Sequence, residues 1–355
     1  MSVKTGSRRS RGNPEYVVAR VRSRRSTLYD ESDYRKLVRM GTGEIARFME
    51  DSEYEEEMNT LGARFAGVDL IEYALERNLA KHFDDILRWS EGRIYDDVAR
   101  YLRKFDAWNV KTVIRGIYSD SDSESIEADL IRAGEIDDER LATVANADSI
   151  ERVVEVLDET IFGDALRDAY DDYERTDLLV PLENAVDRAF YEALIEDLPS
   201  KGAADRPTEL YIEFLKTEID FRNLRNALRV AHDASTIDPA AYAIEGGRLF
   251  TTEDLARLGE DRDALVEYVR ESRYGGRLSG ALDHLESGER IQFENALDAA
   301  LLEQADRLSN RYPVSVCPVI AYILAKEREV ENIRAIARGR EAGMSDADIE
   351  RRVVN

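Results

Sequence analysis

Apolar residues recur along this chain at the spacing of one helix face. Val110, Val113, Ile114 and Ile117 fall at i, i+3, i+4 and i+7, and Leu224, Ala227, Leu228 and Ala231 repeat the interval. That period predicts amphipathic helices. Few stretches alternate apolar and polar residues in the manner of a strand, so an all-α fold is expected. On the same helical wheel Asp106 and Asn109 lie on the apolar side, whereas Lys111 and Arg115 point away. Polar and proline-containing stretches punctuate the pattern. Ser119 to Ser125 reads as a turn with a helix from Ile126, and Leu198 to Pro207 reads as a loop with Pro207 in the next first turn. Ser272 to Gly276 marks another break, and Pro313 and Pro318 precede a helix from Val319 to Arg338.

Comparing the chain with itself uncovers an internal repeat. An acid, an Asn three later, then an aliphatic and a base occur three times, with an Arg six beyond the Asn. The sets are Asp106, Asn109, Lys111, Arg115; Asp220, Asn223, Arg225, Arg229; and Glu329, Asn332, Arg334, Arg338. Ahead of each lies a second pattern centred on Glu72, Glu183 and Glu294, spaced 111 residues apart. A third element, Ile131 to Ile136 around Gly134 and Ile244 to Leu249 around Gly247, follows the first two copies. Three elements in one order predict a basic extension at 1–13 and helical units at 14–145, 146–255 and 256–355. Five or six helices per unit exceed a solenoid repeat, so three similar subdomains around a pseudo-threefold axis are expected. A carboxylate on an apolar face is costly unless paired, so each repeated acid should meet an Arg or a backbone donor on a neighbouring helix. A packing role explains threefold recurrence better than three catalytic acids.

Charge narrows the picture further. The net charge is −24 with 35% charged residues, and only eight of the basic residues are Lys. We read this as a salt-adapted surface, one that disfavours nucleic acid as a partner. The first 25 residues run against the trend, with Lys4, Arg8, Arg9, Arg11, Arg20, Arg22, Arg24 and Arg25 opposed by Glu15 alone. Either this is a tail plus a polar helix face, or it contacts an acidic partner or membrane surface.

Reactive constellations are scarce. His82, His232 and His284 are far apart without metal-ligand spacing, and Cys317 lies in an apolar run as a small buried hydrophobe. The pairs Asp84–Asp85 and Asp171–Asp172 do not extend into a diphosphate-metal box and read as solvated faces. Gly275–Gly276 lacks the context of a phosphate cradle. No catalytic residue, cofactor, metal or small-molecule ligand is expected.

The ordered set resembles the C subunits of archaeal-type rotary ATP synthases, relatives of the d subunits of vacuolar proton pumps. The likeness runs from Tyr16 to Gly339. It rests on Tyr16 to Leu28, on the three Asn-centred signatures, and on Pro181 to Ala185 before Phe190 and Tyr191. The Arg-rich extension and the acidity depart from the pattern and suit a salt-loving source. The resemblance implies three helical subdomains forming a funnel, without chemistry of its own. It implies a socket on the cytoplasmic face of the membrane, seated on the rotor ring and receiving the central-axle subunits of D and F type. Arg8, Arg9, Arg11, Arg20, Arg22, Arg24 and Arg25 would then be possible ring or membrane contacts. The alternative is a generic helical scaffold of another complex.

Overall fold

The computed structural model describes residues 12–196, 198, 204–233, 242–259 and 261–354, with the side chains of 229–233 outside the description. Among the described residues the chain is helical throughout, with no strand. The helices in order are α1 (Pro14–Arg25), α2 (Glu31–Leu37), α3 (Thr42–Glu50), α4 (Glu55–Leu61), α5 (Gly67–Trp89), α6 (Arg93–Leu102), α7 (Lys104–Tyr118), α8 (Ser123–Ala128) and α9 (Asp138–Ala145). They continue as α10 (Ile150–Val156), α11 (Gly163–Thr176), α12 (Val180–Glu196), α13 (Arg206–Asp233), α14 (Thr252–Leu258), α15 (Arg262–Glu271), α16 (Gly275–Glu286), α17 (Arg290–Arg311), α18 (Cys317–Glu341) and α19 (Asp346–Glu350).

Local chemistry sets many of these boundaries. Asp30, Asp122, Asp137, Ser149, Thr251, Asp261 and Ser345 each cap a helix by accepting from a backbone N–H of its first turn. Pro14 and Pro318 sit in the first turn of α1 and α18, where a missing N–H costs nothing. The Ser-rich stretch after α7 is not all turn: Asp122 caps a helix that starts at Ser123, ahead of the Ile126 start predicted from its polarity.

Three long helices, α7, α13 and α18, carry the Asn-centred signatures, and their apolar stripes are buried. Val110, Val113 and Ile114 on α7, Leu224 and Ala227 on α13, and Val330, Ile333 and Ile336 on α18 are all in the core. Each long helix packs across a seam on another helix: α7 on α12, α13 on α17, and α18 back on α5. Helix α1 has no counterpart among the repeated elements. It lies on both α18 and α5, and its Val17, Val18 and Val21 are buried.

Candidate functional site: three seams around a charged cavity

The three repeated asparagines do the same thing. Asn109 Nδ2 donates to the Ile131 carbonyl at 2.8 Å, and its Oδ1 accepts the Ile131 N–H at 2.8 Å. Asn223 holds Ile244 at 2.8 and 2.9 Å, and Asn332 holds Val354 at 2.9 and 2.8 Å. A carboxamide offers a donor and an acceptor in one plane, which matches the N–H and C=O of a single residue. Each clamp therefore fixes the strand of chain that leaves its long helix.

The repeated acids meet backbone and tyrosine donors rather than arginines. Asp106 accepts from the Glu135 N–H at 2.8 Å and the Ile136 N–H at 3.1 Å. Asp220 accepts from Arg248 N–H, Leu249 N–H and the Tyr274 hydroxyl at 2.7, 2.9 and 2.6 Å. The backbone donors lie in the loops after the clamps, not on a neighbouring helix as expected. Gly134 and Gly247 are what let those loops come so close. A Cβ at either position would sit 2.0 or 2.3 Å from an oxygen of Asp106 or Asp220. Burial pushes the Asp106 carboxyl up to about 6 against its two backbone donors, and it raises Asp220 in the same sense.

The third acid is served differently, since no comparable loop follows the Val354 clamp among the described residues. Glu329 accepts from the Tyr29 N–H at 2.6 Å, the Tyr54 hydroxyl at 2.7 Å and its own helix's Lys326 at 2.7 Å. Residues from the connections just ahead of α2 and α4 thus stand where a following loop stands in the other copies. Lys326 is fully buried, and burial lowers its pKa against the pull of Glu329.

Ion pairs cross each seam. Across α7 and α12, Arg115 pairs with Glu183 at 2.6 Å and Lys111 with Asp187 at 2.5 Å. Across α13 and α17, Arg225 holds both Glu294, at 2.6 Å, and Asp298. Across α18 and α5, Arg338 pairs with Glu72, and Arg334 pairs with Glu76 at 2.9 Å. The Arg229 side chain lies outside the described residues. The second acid of each seam, Glu76, Asp187 or Asp298, is absent from the sequence-derived set. Its signal was present: the three recur at the same 111-residue interval, one helical turn after the marked glutamates. The seams form a closed circuit.

Inside that circuit lies a cavity of about 270 Å³ with walls from α5, α7, α12, α13, α17 and α18. Leu79, Phe105, Phe190, Phe221 and Leu324 supply apolar surface, and Trp108 opens onto it with 43% of its surface exposed. Six cationic and five acidic residues line the rest. A nearly balanced wall in a chain of net charge −24 sets this surface apart from the acidic exterior. Most of its charges are already paired; Lys104, for example, lies 2.8 Å from Glu327. Glu331 opens into the cavity, and the surrounding protein atoms, then Asp298 and Glu327, push its carboxyl up to about 7. Glu76 is also raised to about 7 by burial, against Arg334.

The remaining sequence candidates have local roles. His82 is held neutral by burial, its pKa lowered to about 2, with Nδ1 against the Tyr322 hydroxyl. His284 meets Glu289, Cys317 is buried, and the His232 side chain lies outside the described residues. Asp85 is not a solvated-face residue: it anchors Arg24 of α1 and pairs with Arg88. Of the basic N-terminal residues, Arg8, Arg9 and Arg11 lie outside the described residues. Arg24 and Arg25 are engaged internally, Arg20 stacks on Tyr16 and Trp89, and Arg22 is exposed. No helix among the described residues is long and apolar enough to cross a membrane.

Residues 17–352 match the family model described as ATP synthase (C/AC39) subunit. The chain is 63% identical over 343 residues to the A-type ATP synthase C subunit of Halorubrum lacusprofundi, covering 96% of this chain and 97% of that protein. It is 61% identical to the Haloferax volcanii protein of the same name, with the same coverage. The corresponding protein of Methanococcoides burtonii, which also bears that name, is 32% identical over 351 residues, 97% of this chain and 95% of that protein.

Proposed function

The chain belongs to the ATP synthase (C/AC39) subunit family, and on that premise we propose that it is a non-catalytic rotor part of an A-type ATP synthase. In this reading three helical units, 14–145, 146–255 and 256–355, form a funnel about a pseudo-threefold axis. The funnel is a socket between the membrane rotor ring and the axle subunits of D and F type, on the cytoplasmic face. Torque from ion-driven rotation passes through it to the catalytic head.

The observation that carries this reading is the closed circuit of seams. A torque-bearing part must not shear, and shear between helices is resisted by dense packing and by paired charges of low exposure. Every seam has such pairs, and all three long helices also wall one cavity. In this reading the axle's end docks against the rim of that cavity. Arg20 and Arg22, exposed on α1, remain available for the ring or membrane. The test is reconstitution in molar salt. The purified chain should lack ATPase activity, bind the D and F type axle pair, and copurify with the ring from native membranes. Binding to neither the axle pair nor the ring would overturn the reading.

A further inference from the structure

The circuit has three seams, but the chain crosses only two of them. Continuous backbone runs from α7 through Ile131 and Gly134 toward α12, and from α13 through Ile244 and Gly247 toward α17. Between α18 and α5 there is no covalent crossing, because α18 lies late in the chain and α5 early, with the other two seams between them. Helix α1, which has no counterpart among the repeated elements, lies across that seam, as does α3, which also packs on both α18 and α5.

Its contacts reach both sides. Toward α5, Asn13 Nδ2 donates to the Trp89 carbonyl at 2.8 Å, and Asn13 Oδ1 accepts the Glu91 N–H at 3.0 Å. Arg20 and Arg24 stack over the Trp89 ring at 4.9 and 4.6 Å, and Arg24 also pairs with Asp85. On the other side α1 packs on α18, and its Val17, Val18 and Val21 are buried. Arg25 stands 2.6 Å from Asp306 of α17, an ion pair without hydrogen-bond geometry. Beneath α1 the seam is polar: His82 meets Tyr322, and Lys326, Tyr54 and Glu329 form a closed hydrogen-bonded set.

We propose that α1 is a strap that holds shut the one seam the chain does not cross, making the α18/α5 seam the point at which the circuit opens. Two physical terms favour this seam. Opening it stretches no backbone, whereas parting either of the others must pull on a connecting loop. Opening it also returns Lys326 and Glu329 to water, which recovers part of the solvation lost on burial. Opening the α7/α12 seam would free Lys111 and Asp187, but these keep 12 and 13% exposure against 0 and 3% for Lys326 and Glu329, and so recover less. The strap adds its apolar and ionic contacts to the Arg334–Glu76 and Arg338–Glu72 pairs that join the two helices directly. Its release gives side access to the central cavity, because α5 and α18 are two of the cavity's walls. None of this depends on which partner fills the cavity.

Lys326 is a natural reporter, being fully buried at this seam, while Lys111 marks the α7/α12 seam at 12% exposure. The full chain, in molar salt, is treated with an amine-reactive acylating reagent, and each lysine's rate is read by peptide mass spectrometry. Two lesions of different chemistry weaken the strap: Arg24→Ala with Arg25→Ala, and Val21→Ala alone. Both should raise the Lys326 rate at least about tenfold while Lys111 stays within about twofold, since local opening governs access. The milder Val21→Ala keeps the test decisive if the double variant folds poorly. Parallel acceleration of Lys111 and Lys326, or no change at Lys326 in either variant, overturns the proposal.

Discussion

Replacing Asn223 by Ala tests whether the asparagine clamps are structural keystones. Asn223 is fully buried and Ile244 nearly so, at 0% and 2% exposure. The substitution strips both partners from one backbone unit, leaving the Ile244 N–H and C=O unpaired where water cannot reach. Each orphaned buried group costs about 1–3 kcal/mol, so the expected loss is about 2–5 kcal/mol. Asn223→Asp should be comparably harmful. A carboxylate can still accept from the N–H, but it sets an unprotonated oxygen against the Ile244 carbonyl. Asn332→Ala supplies the internal contrast. Its partner Val354 keeps a second donor on the carbonyl, Arg328 Nε at 2.9 Å, so only the N–H is orphaned and about 1–2 kcal/mol is expected there. Urea unfolding at fixed molar salt, with ΔG extrapolated to zero urea, measures both. The reasoning fails if Asn223→Ala costs under about 0.5 kcal/mol, or if Asn332→Ala costs as much as Asn223→Ala.

Two further outcomes follow from the same geometry. Gly134→Ala should destabilise by about 1–3 kcal/mol, because its Cβ meets the Asp106 carboxylate, whereas Gly276→Ala, with open space around it, should be neutral or better; equal thermal shifts for the two would refute the close-approach argument. Melting temperature should rise as pH falls from 8 to 5.5, because Glu76 and Glu331, at about 7, and Asp106, at about 6, bind protons in the fold that the unfolded chain releases. These three outweigh buried His82, which stays neutral while the unfolded imidazole gains a proton. Their stabilisation is complete below the unfolded carboxyl values and is lost as pH rises through 6 to 7. Near pH 4 and below the trend should turn over, as Asp30 and Asp122, held low by their cap hydrogen bonds, are protonated. Glu76→Gln should flatten the slope between pH 5.5 and 8, and a flat or falling wild-type profile would contradict the assignment.

The all-helical class and the recurrence of Asn109, Asn223 and Asn332 were legible because period and spacing are properties of the chain itself. What an acid binds is not. The wheel put Asp106 on the packed side, but only the folded loop shows that Gly134 brings two N–H groups to it. Glu76, Asp187 and Asp298 were overlooked although they repeat as strictly as the marked glutamates, since acids on half-exposed turns look like ordinary surface in an acidic chain. The internal partners of the α1 arginines were illegible for the opposite reason. A basic cluster in a chain of net charge −24 invites an external partner, yet Arg24 and Arg25 spend their charge on Asp85 and Asp306. Helical periodicity reports which face is apolar, not which neighbour it meets.

The Glu329 site also has a timetable. Its donors Tyr29 and Tyr54 leave the ribosome early, and the acid they serve follows 300 and 275 residues later. At about 5–20 residues per second, that delay is on the order of tens of seconds. The first helices must therefore survive most of synthesis with an uncovered flank that only the α18 segment can cover. Asn332 waits in turn on Val354, a further 22 residues along. Until α18 emerges, Tyr29 and Tyr54 have no acid to serve.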